Sequence, residues 1–214
     1  MKSTATYSLF VLLLGGLFLT GCPEKKKRPR TQTGSRIAAV KPAVKAGVVN
    51  DRSGFCEKTW PGEGAQSKDF IWPPLRALPG KATAEVPKAK KTWTWVNLWA
   101  TWCVPCMDEM ELLGRWTKSL ASEGEGMALE LITIDAEKDS AKLAATIEKG
   151  LPGPVHWLES EAQFEPLLDS LGLDRAAAIP IHALVDPNGK LRCVRVGAIH
   201  AIDFAAVKGI VRGG

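Results

Sequence analysis

No apolar run in the 214-residue sequence is long enough to cross a bilayer comfortably. The candidate, from about Leu9 to Leu19, follows Lys2 and ends at Leu19-Thr20-Gly21-Cys22. It reads as the core of a signal peptide rather than a membrane span. No internal repeat is visible. No second paired-cysteine motif accompanies Cys103 and Cys106, because Cys56, Cys193, His156, His182 and His200 stand singly. A zinc site needs further ligands at recognisable spacing, so neither a metal nor any other cofactor is called for. The domain also lacks net positive charge. Between Pro23 and Gly47 there are eight Lys/Arg and one acid, whereas residues 48–214 carry nineteen Lys/Arg and twenty-two Asp/Glu. The sequence pI of 9.0 therefore belongs to the N-terminal tether. A mildly acidic, exported domain argues against nucleic acid as a partner.

Three segments follow: a leader at residues 1–21, a tether at 22–47 and a domain at 48–214. Leu-Thr-Gly-Cys resembles a bacterial lipobox, in which Cys22 is lipidated and begins the mature chain. The alternative is an ordinary cleaved signal with a chance cysteine. Several acyl chains on one residue anchor stably, since each buried methylene adds about 0.8 kcal/mol. Pro23 stands where an inner-membrane retention aspartate is expected in many Gram-negative lipoproteins, which leans toward the outer membrane. In a cell with one membrane that signal means nothing. Lys25-Lys26-Lys27-Arg28-Pro29-Arg30 either hugs anionic headgroups or is a solvated spacer. A flexible tether of this length has an r.m.s. reach of about 25–30 Å.

The chemistry lies at Trp102-Cys103-Val104-Pro105-Cys106. Before it runs Thr92 to Trp99, aromatic and β-favouring. After it, Met107, Met110, Leu113, Trp116 and Leu120 recur at spacings of three and four, which predicts a helix from about Val104 to Leu120. Cys103 then sits at a helix start, where unpaired N–H groups and the dipole stabilise a thiolate. Cys106 lies one turn deeper. One thiol attacks a disulfide and the other resolves the mixed disulfide.

Further elements are expected at Met127–Ile134 (strand), Ser140–Lys149 (helix), Val155–Leu158 (strand) and Glu161–Leu171 (helix). Two strands, Ile181–Val185 and Leu191–Val196, are joined by the turn signal Asp186-Pro187-Asn188-Gly189. Ile202–Val211 closes the chain as a helix. Alternation followed by a hairpin predicts an α/β domain with a central mixed sheet, helices on both faces, and a C-terminal hairpin plus helix. The proline-rich stretch before Thr92 predicts short strands or an extended arm.

From about Phe70 to Val211 the chain resembles TlpA/ResA-type thioredoxin-like proteins, membrane-anchored extracytoplasmic thiol–disulfide oxidoreductases. Trp99-Ala100-Thr101-Trp102-Cys103-Val104-Pro105-Cys106 carries the likeness, and Ile179-Pro180 matches the thioredoxin-fold cis-proline position. The resemblance implies a thioredoxin-like fold, Cys103 as nucleophile and Cys106 as resolver. It implies Pro180 in a cis peptide opposite the dithiol, exposing the Ile179 backbone to a substrate peptide. Trp102 flanks the nucleophile as a docking surface. Trp93, Trp95, Trp99, Trp116 and Trp157 are expected in the core.

Glu109, one turn after Cys106, is either the acceptor of the Cys106 proton, as the family's glutamate at this spacing implies, or a first-turn helix acid. Asn97 stands where thioredoxin has a buried aspartate, and an amide cannot shuttle protons. Glu111 replaces a proline common in the family, so a straighter helix is expected. Cys56 and Cys193 either form a structural disulfide, as exported proteins favour, or remain free thiols. A pair at a helix start should be exposed, and a staple on a mid-strand cysteine shielded.

The expected activity is reduction of protein disulfides at the periplasmic face of the cell envelope. The resemblance suggests apocytochrome c or copper-site cysteines as substrates and a membrane thiol transporter as electron donor. A disulfide isomerase or oxidase is a second enzymatic reading, and a copper or other metal chaperone using the two thiols as soft ligands is another.

Overall fold

The structure, a computed structural model, describes residues 51, 53–88 and 91–213. The leader at 1–21, Cys22 and the tether at 22–47 lie outside the described residues. Three two-residue strands come first: β1 (Lys58–Thr59), β2 (Lys68–Asp69) and β3 (Leu75–Arg76). Then follow β4 (Trp93–Trp99), α1 (Val104–Ser122), β5 (Met127–Thr133), α2 (Ser140–Glu148) and β6 (Val155–Leu158). The chain continues through α3 (Phe164–Ser170), β7 (Ile181–Val185), β8 (Lys190–Val196) and α4 (Phe204–Gly213). Both α3 and α4 are entered through a single 3₁₀ turn, Glu161–Gln163 and Ala201–Asp203, so the regular helices start later than apolar spacing alone implies.

The strands form one sheet in the order β1-β8-β7-β4-β5-β6-β3, with β2 also paired to β8. Strand β4 is central. It runs parallel to β5 and antiparallel to β7, and β5 runs parallel to β6. Alternate residues of β4 feed two separate cores. Trp93, Trp95 and Trp99 join Leu129, Leu131 and Leu184 on one face, while Val96 and Leu98 join Ile132, Ile181 and Ala183 on the other. Burial on both faces explains why β4 reads as nearly continuous apolar sequence.

Helices cover both faces. The first face is packed by Met110, Leu113, Trp116 and Leu120 of α1, Leu143 of α2, and Val207, Ile210 and Val211 of α4. The second receives Leu167 and Leu168 of α3, with Trp60, Phe70 and Trp72 of the N-terminal arm beside them. The arm thus supplies apolar cover on the face that has fewer helices. The domain has the α/β thioredoxin-like architecture. All five tryptophans expected inside are buried.

Two glycines are dictated by geometry. A Cβ on Gly114 would lie 2.8 Å from Pro152 Cβ, so α1 approaches that loop only without a side chain. Gly189, at φ +79°, closes the hairpin turn, where the Asp186 carboxylate accepts from the Asn188 and Lys190 N–H groups at 2.8 and 3.0 Å.

Candidate active site

Cys103 is the N-cap of α1, and Pro105 occupies the first turn, where a missing N–H costs nothing. The Cys106 N–H donates to Cys103 Sγ at 3.3 Å. Cys103 and Cys106 form a disulfide with S–S 2.00 Å. The pair is less open than a helix start suggests. Cys103 is 5% exposed and Cys106 is fully buried, because both pack into the α1-side core. Exposure falls on the flanking residues, 54% for Trp102 and 69% for Val104.

The turn leading into the helix is held from β5. Asp135 accepts from the Thr101 N–H at 3.0 Å and from its hydroxyl at 2.7 Å, and also from the Thr133 hydroxyl. The Trp157 indole N–H donates to the Asp135 carbonyl at 2.7 Å. Asp135 follows the strand expected at Met127–Ile134, and sequence analysis gave it no role.

The Ile179–Pro180 peptide is cis. Leu98 pairs with Ile181 across β4 and β7, so Pro180 sits at the sheet end from which the chain enters the dithiol loop. Pro180 is buried and Ile179 half-buried, packed between the two cores.

Glu109 is on the buried face of the dithiol helix, 3% exposed. Its Oε2 accepts the Ile199 N–H at 2.9 Å, and its Oε1 accepts the Asn97 amide at 3.2 Å. His182 Nε2 is 3.4 Å from Oε1. A first-turn acid turned to water would have no such partners. Asn97 therefore orients the acid rather than moving protons. Glu111 is exposed and pairs with Arg115 at 2.6 Å, away from this cluster. Sequence reasoning weighed His182 only as a metal ligand. The available signal was a lone histidine in an otherwise apolar strand beginning one residue after Pro180.

Cys56 and Cys193 form a second disulfide, S–S 2.08 Å, across 137 residues. It joins the arm to β8, where Thr59 pairs with Cys193. Cys193 is 1% exposed, but Cys56 is half-buried. The expected contrast of an exposed active pair and a shielded staple is thus not what the structure has: Cys56, on an irregular edge, is more open than Cys103. Asp51 caps this segment, accepting from the Cys56 N–H at 2.7 Å and the Ser53 hydroxyl at 2.6 Å. Burial alone would push the Asp51 carboxyl up. The hydrogen bonds from Ser53, Cys56 and Phe55 outweigh it and hold the group below the ordinary carboxylate range.

Among the described residues, no group of three or more His, Cys, Asp or Glu is placed to hold a metal ion, and no helix is long and apolar enough to cross a membrane.

A cysteine pair at the start of the helix after the central strand, at the same sheet end as a cis-proline, is the arrangement of a thioredoxin-like thiol–disulfide oxidoreductase. No protein-family model matches the chain. Its sequence is 27% identical over 141 residues to thioredoxin-like protein YneN of Bacillus subtilis, covering 64% of this chain and 73% of that one. It is 24% identical over 151 residues to thiol–disulfide oxidoreductase ResA of Geobacillus thermodenitrificans, covering 70% and 78%. Among solved structures, the thioredoxin domain of a thiol–disulfide oxidoreductase from Bacteroides vulgatus superposes with a TM-score of 0.43 at 20% identity, covering 57% and 81%. The likeness to ResA-type proteins expected from the active-site run is borne out by these relatives.

Proposed function

We propose that the protein is a lipid-anchored, extracytoplasmic reductase of protein disulfides, with Cys103 as nucleophile, Cys106 as resolver and Glu109 as proton acceptor. The observation that carries this reading is the placement of Cys103 as N-cap, its sulfur already receiving a helix N–H. Those donors stabilise the thiolate that attacks.

In the reduced enzyme, Cys103 S⁻ attacks one sulfur of a substrate disulfide. A mixed disulfide forms and one substrate thiolate leaves. Glu109 then accepts the proton of the Cys106 thiol. The Cys106 thiolate attacks Cys103 Sγ, the Cys103–Cys106 bond forms, and the second substrate thiolate departs and takes up a proton. Two electrons pass to the substrate, and a membrane thiol-transfer partner restores the dithiol. Trp102 and the Ile179–Pro180 backbone flank this path as the docking surface for an extended substrate.

The leader, Cys22 and the basic tether support export and anchoring. Pro23 leans toward the outer membrane. Proline within the pair and the absence of histidine between the cysteines favour a reducing role, with cytochrome c maturation or metal-site assembly as settings. A redox titration tests the direction. We expect a potential near thioredoxin's, about −270 mV, and a value above about −180 mV would instead make the protein an isomerase or oxidase.

A further inference from the structure

We propose that His182 is a positioning residue for the thiol chemistry, its Nε2–H orienting the Glu109 carboxylate as acceptor of the Cys106 proton. This rests on the role given to Glu109 above.

The tautomer follows from the neighbours. His182 is 1% exposed, and the Trp95 indole N–H donates to its Nδ1 at 3.2 Å. An indole N–H can only donate, so Nδ1 accepts and carries no proton. The Asn97 amide nitrogen lies 3.2 Å from the same atom. Turning that amide over would set its oxygen against both the imidazole lone pair and a Glu109 oxygen. An imidazolium would drive a ring N–H against two N–H donors. His182 is therefore the neutral form with hydrogen on Nε2.

That Nε2 is buried, has no hydrogen-bond partner, and lies 3.4 Å from Glu109 Oε1. An unpaired buried donor is costly, so it calls for a reason. The oxidised disulfide supplies one: Cys106 has no proton to give in this state. Once the pair is reduced and Glu109 engages the Cys106 thiol, a small adjustment brings Nε2–H into hydrogen bonding with the carboxylate.

The groups that meet the Glu109 carboxylate are Asn97 of β4, His182 of β7 and the Ile199 N–H after β8, and Cys106 lies one turn before it on α1. Arg195, opposite His182 on β8, directs its guanidinium to the Phe55 and Ala198 carbonyls and lies 3.9 Å from Asp203. The second buried histidine shows that the assignment is local. His156 Nδ1 faces the Glu85 carbonyl at 3.1 Å and must donate there. The two histidines thus hold opposite roles at the same ring atom.

The test is single-turnover resolution of a preformed mixed disulfide on Cys103, followed against pH in the full chain. His182→Phe keeps a ring beside Trp95 but removes both nitrogens. It should slow resolution about tenfold near neutral pH and displace the profile to higher pH. His182→Gln, which can accept from Trp95 through its oxygen and donate to Glu109 through its nitrogen, should restore most of the rate. In a Glu109→Gln background, His182→Phe should add nothing. Coincident profiles for wild type and His182→Phe, or equal slowing in both backgrounds, would overturn the proposal. If Glu109→Gln alone left the profile unchanged, the Glu109 reading would fall and this proposal with it. Imidazole nitrogen chemical shifts of the unaltered protein give an answer independent of any variant's folding: a protonated Nδ1 on His182 overturns the assignment.

Discussion

The two disulfides share one apolar cluster on one face of the sheet, yet nearly everything around them differs. Cys103–Cys106 spans three positions at a helix start, with a sulfur receiving a backbone N–H and a buried acid one turn away. Cys56–Cys193 spans 137 positions, and the Cys56 N–H is held by the Asp51 carboxylate. A helix N-terminus favours negative charge on sulfur, a placement that Cys56, in the arm, and Cys193, within β8, do not have. Depth does not separate the pairs, since Cys56 is the more open residue. The surroundings, more than exposure, decide which bond is chemistry and which is a staple.

The sharpest way to break this comparison is to remove a sulfur from each pair. Cys103→Ser should abolish insulin reduction, and Cys106→Ser should accumulate mixed disulfides. The double variant Cys56→Ser with Cys193→Ser should keep turning over under conditions where it stays folded. Trapping by Cys103→Ser in place of Cys106→Ser would reverse the assigned roles.

Stability should show the opposite pattern. In the chain-entropy model, losing the 137-residue link costs up to about 4–5 kcal/mol, while losing the three-residue link costs far less. Urea unfolding of the two pair-deleted variants measures this directly. Mass spectrometry of alkylated protein after mild dithiothreitol should find Cys103–Cys106 open and Cys56–Cys193 intact.

A smaller effect is expected at Glu109. Glu109→Gln keeps the shape and removes the base. Resolution should slow about a hundredfold, the low end of general-base contributions, and its pH dependence should flatten. An unchanged pH profile would reduce Glu109 to a structural acid.

The smallest effect concerns Asp51. Its folded carboxyl lies below the ordinary range, so its contribution is present above the unfolded value and fades as pH falls through the folded one. Asp51→Ala should cost about 1 kcal/mol at neutral pH, with the difference closing in acid. Denaturant midpoints for the two proteins at a series of pH values check it.

Much of this site is written locally. The strand, the dithiol and the helix face at Met110, Leu113 and Leu120 follow one another within thirty residues, and their periodicities announce them. Val155–Leu158 and Ile181–Val185 keep their expected bounds because apolar runs end at turn residues. The Glu109 cluster is different. Asn97 meets His182 only through the β4–β7 register, 85 residues apart, and Ile199 reaches Glu109 across 90. No periodicity encodes such a meeting. The arm was legible only as short strands or an extended stretch, because two-residue strands carry no alternation that would fix their bounds or partners.

The arm also sets where this domain begins. Trimming the chain to start at Thr92, the first residue of evident regular structure, would remove β1, β2 and β3 together with Cys56. Arg192 would lose the Trp60 carbonyl, Arg195 the Phe55 carbonyl, and His156 the Glu85 carbonyl. Three cationic or ring donors on or beside the sheet would each lose one acceptor, and Cys193 would become a lone thiol in newly uncovered apolar surface. Such a fragment keeps every residue of the catalytic proposal, yet it should be recovered as aggregates or cross-linked dimers. The folding unit therefore starts near Phe55, 47 residues before the motif that reveals it.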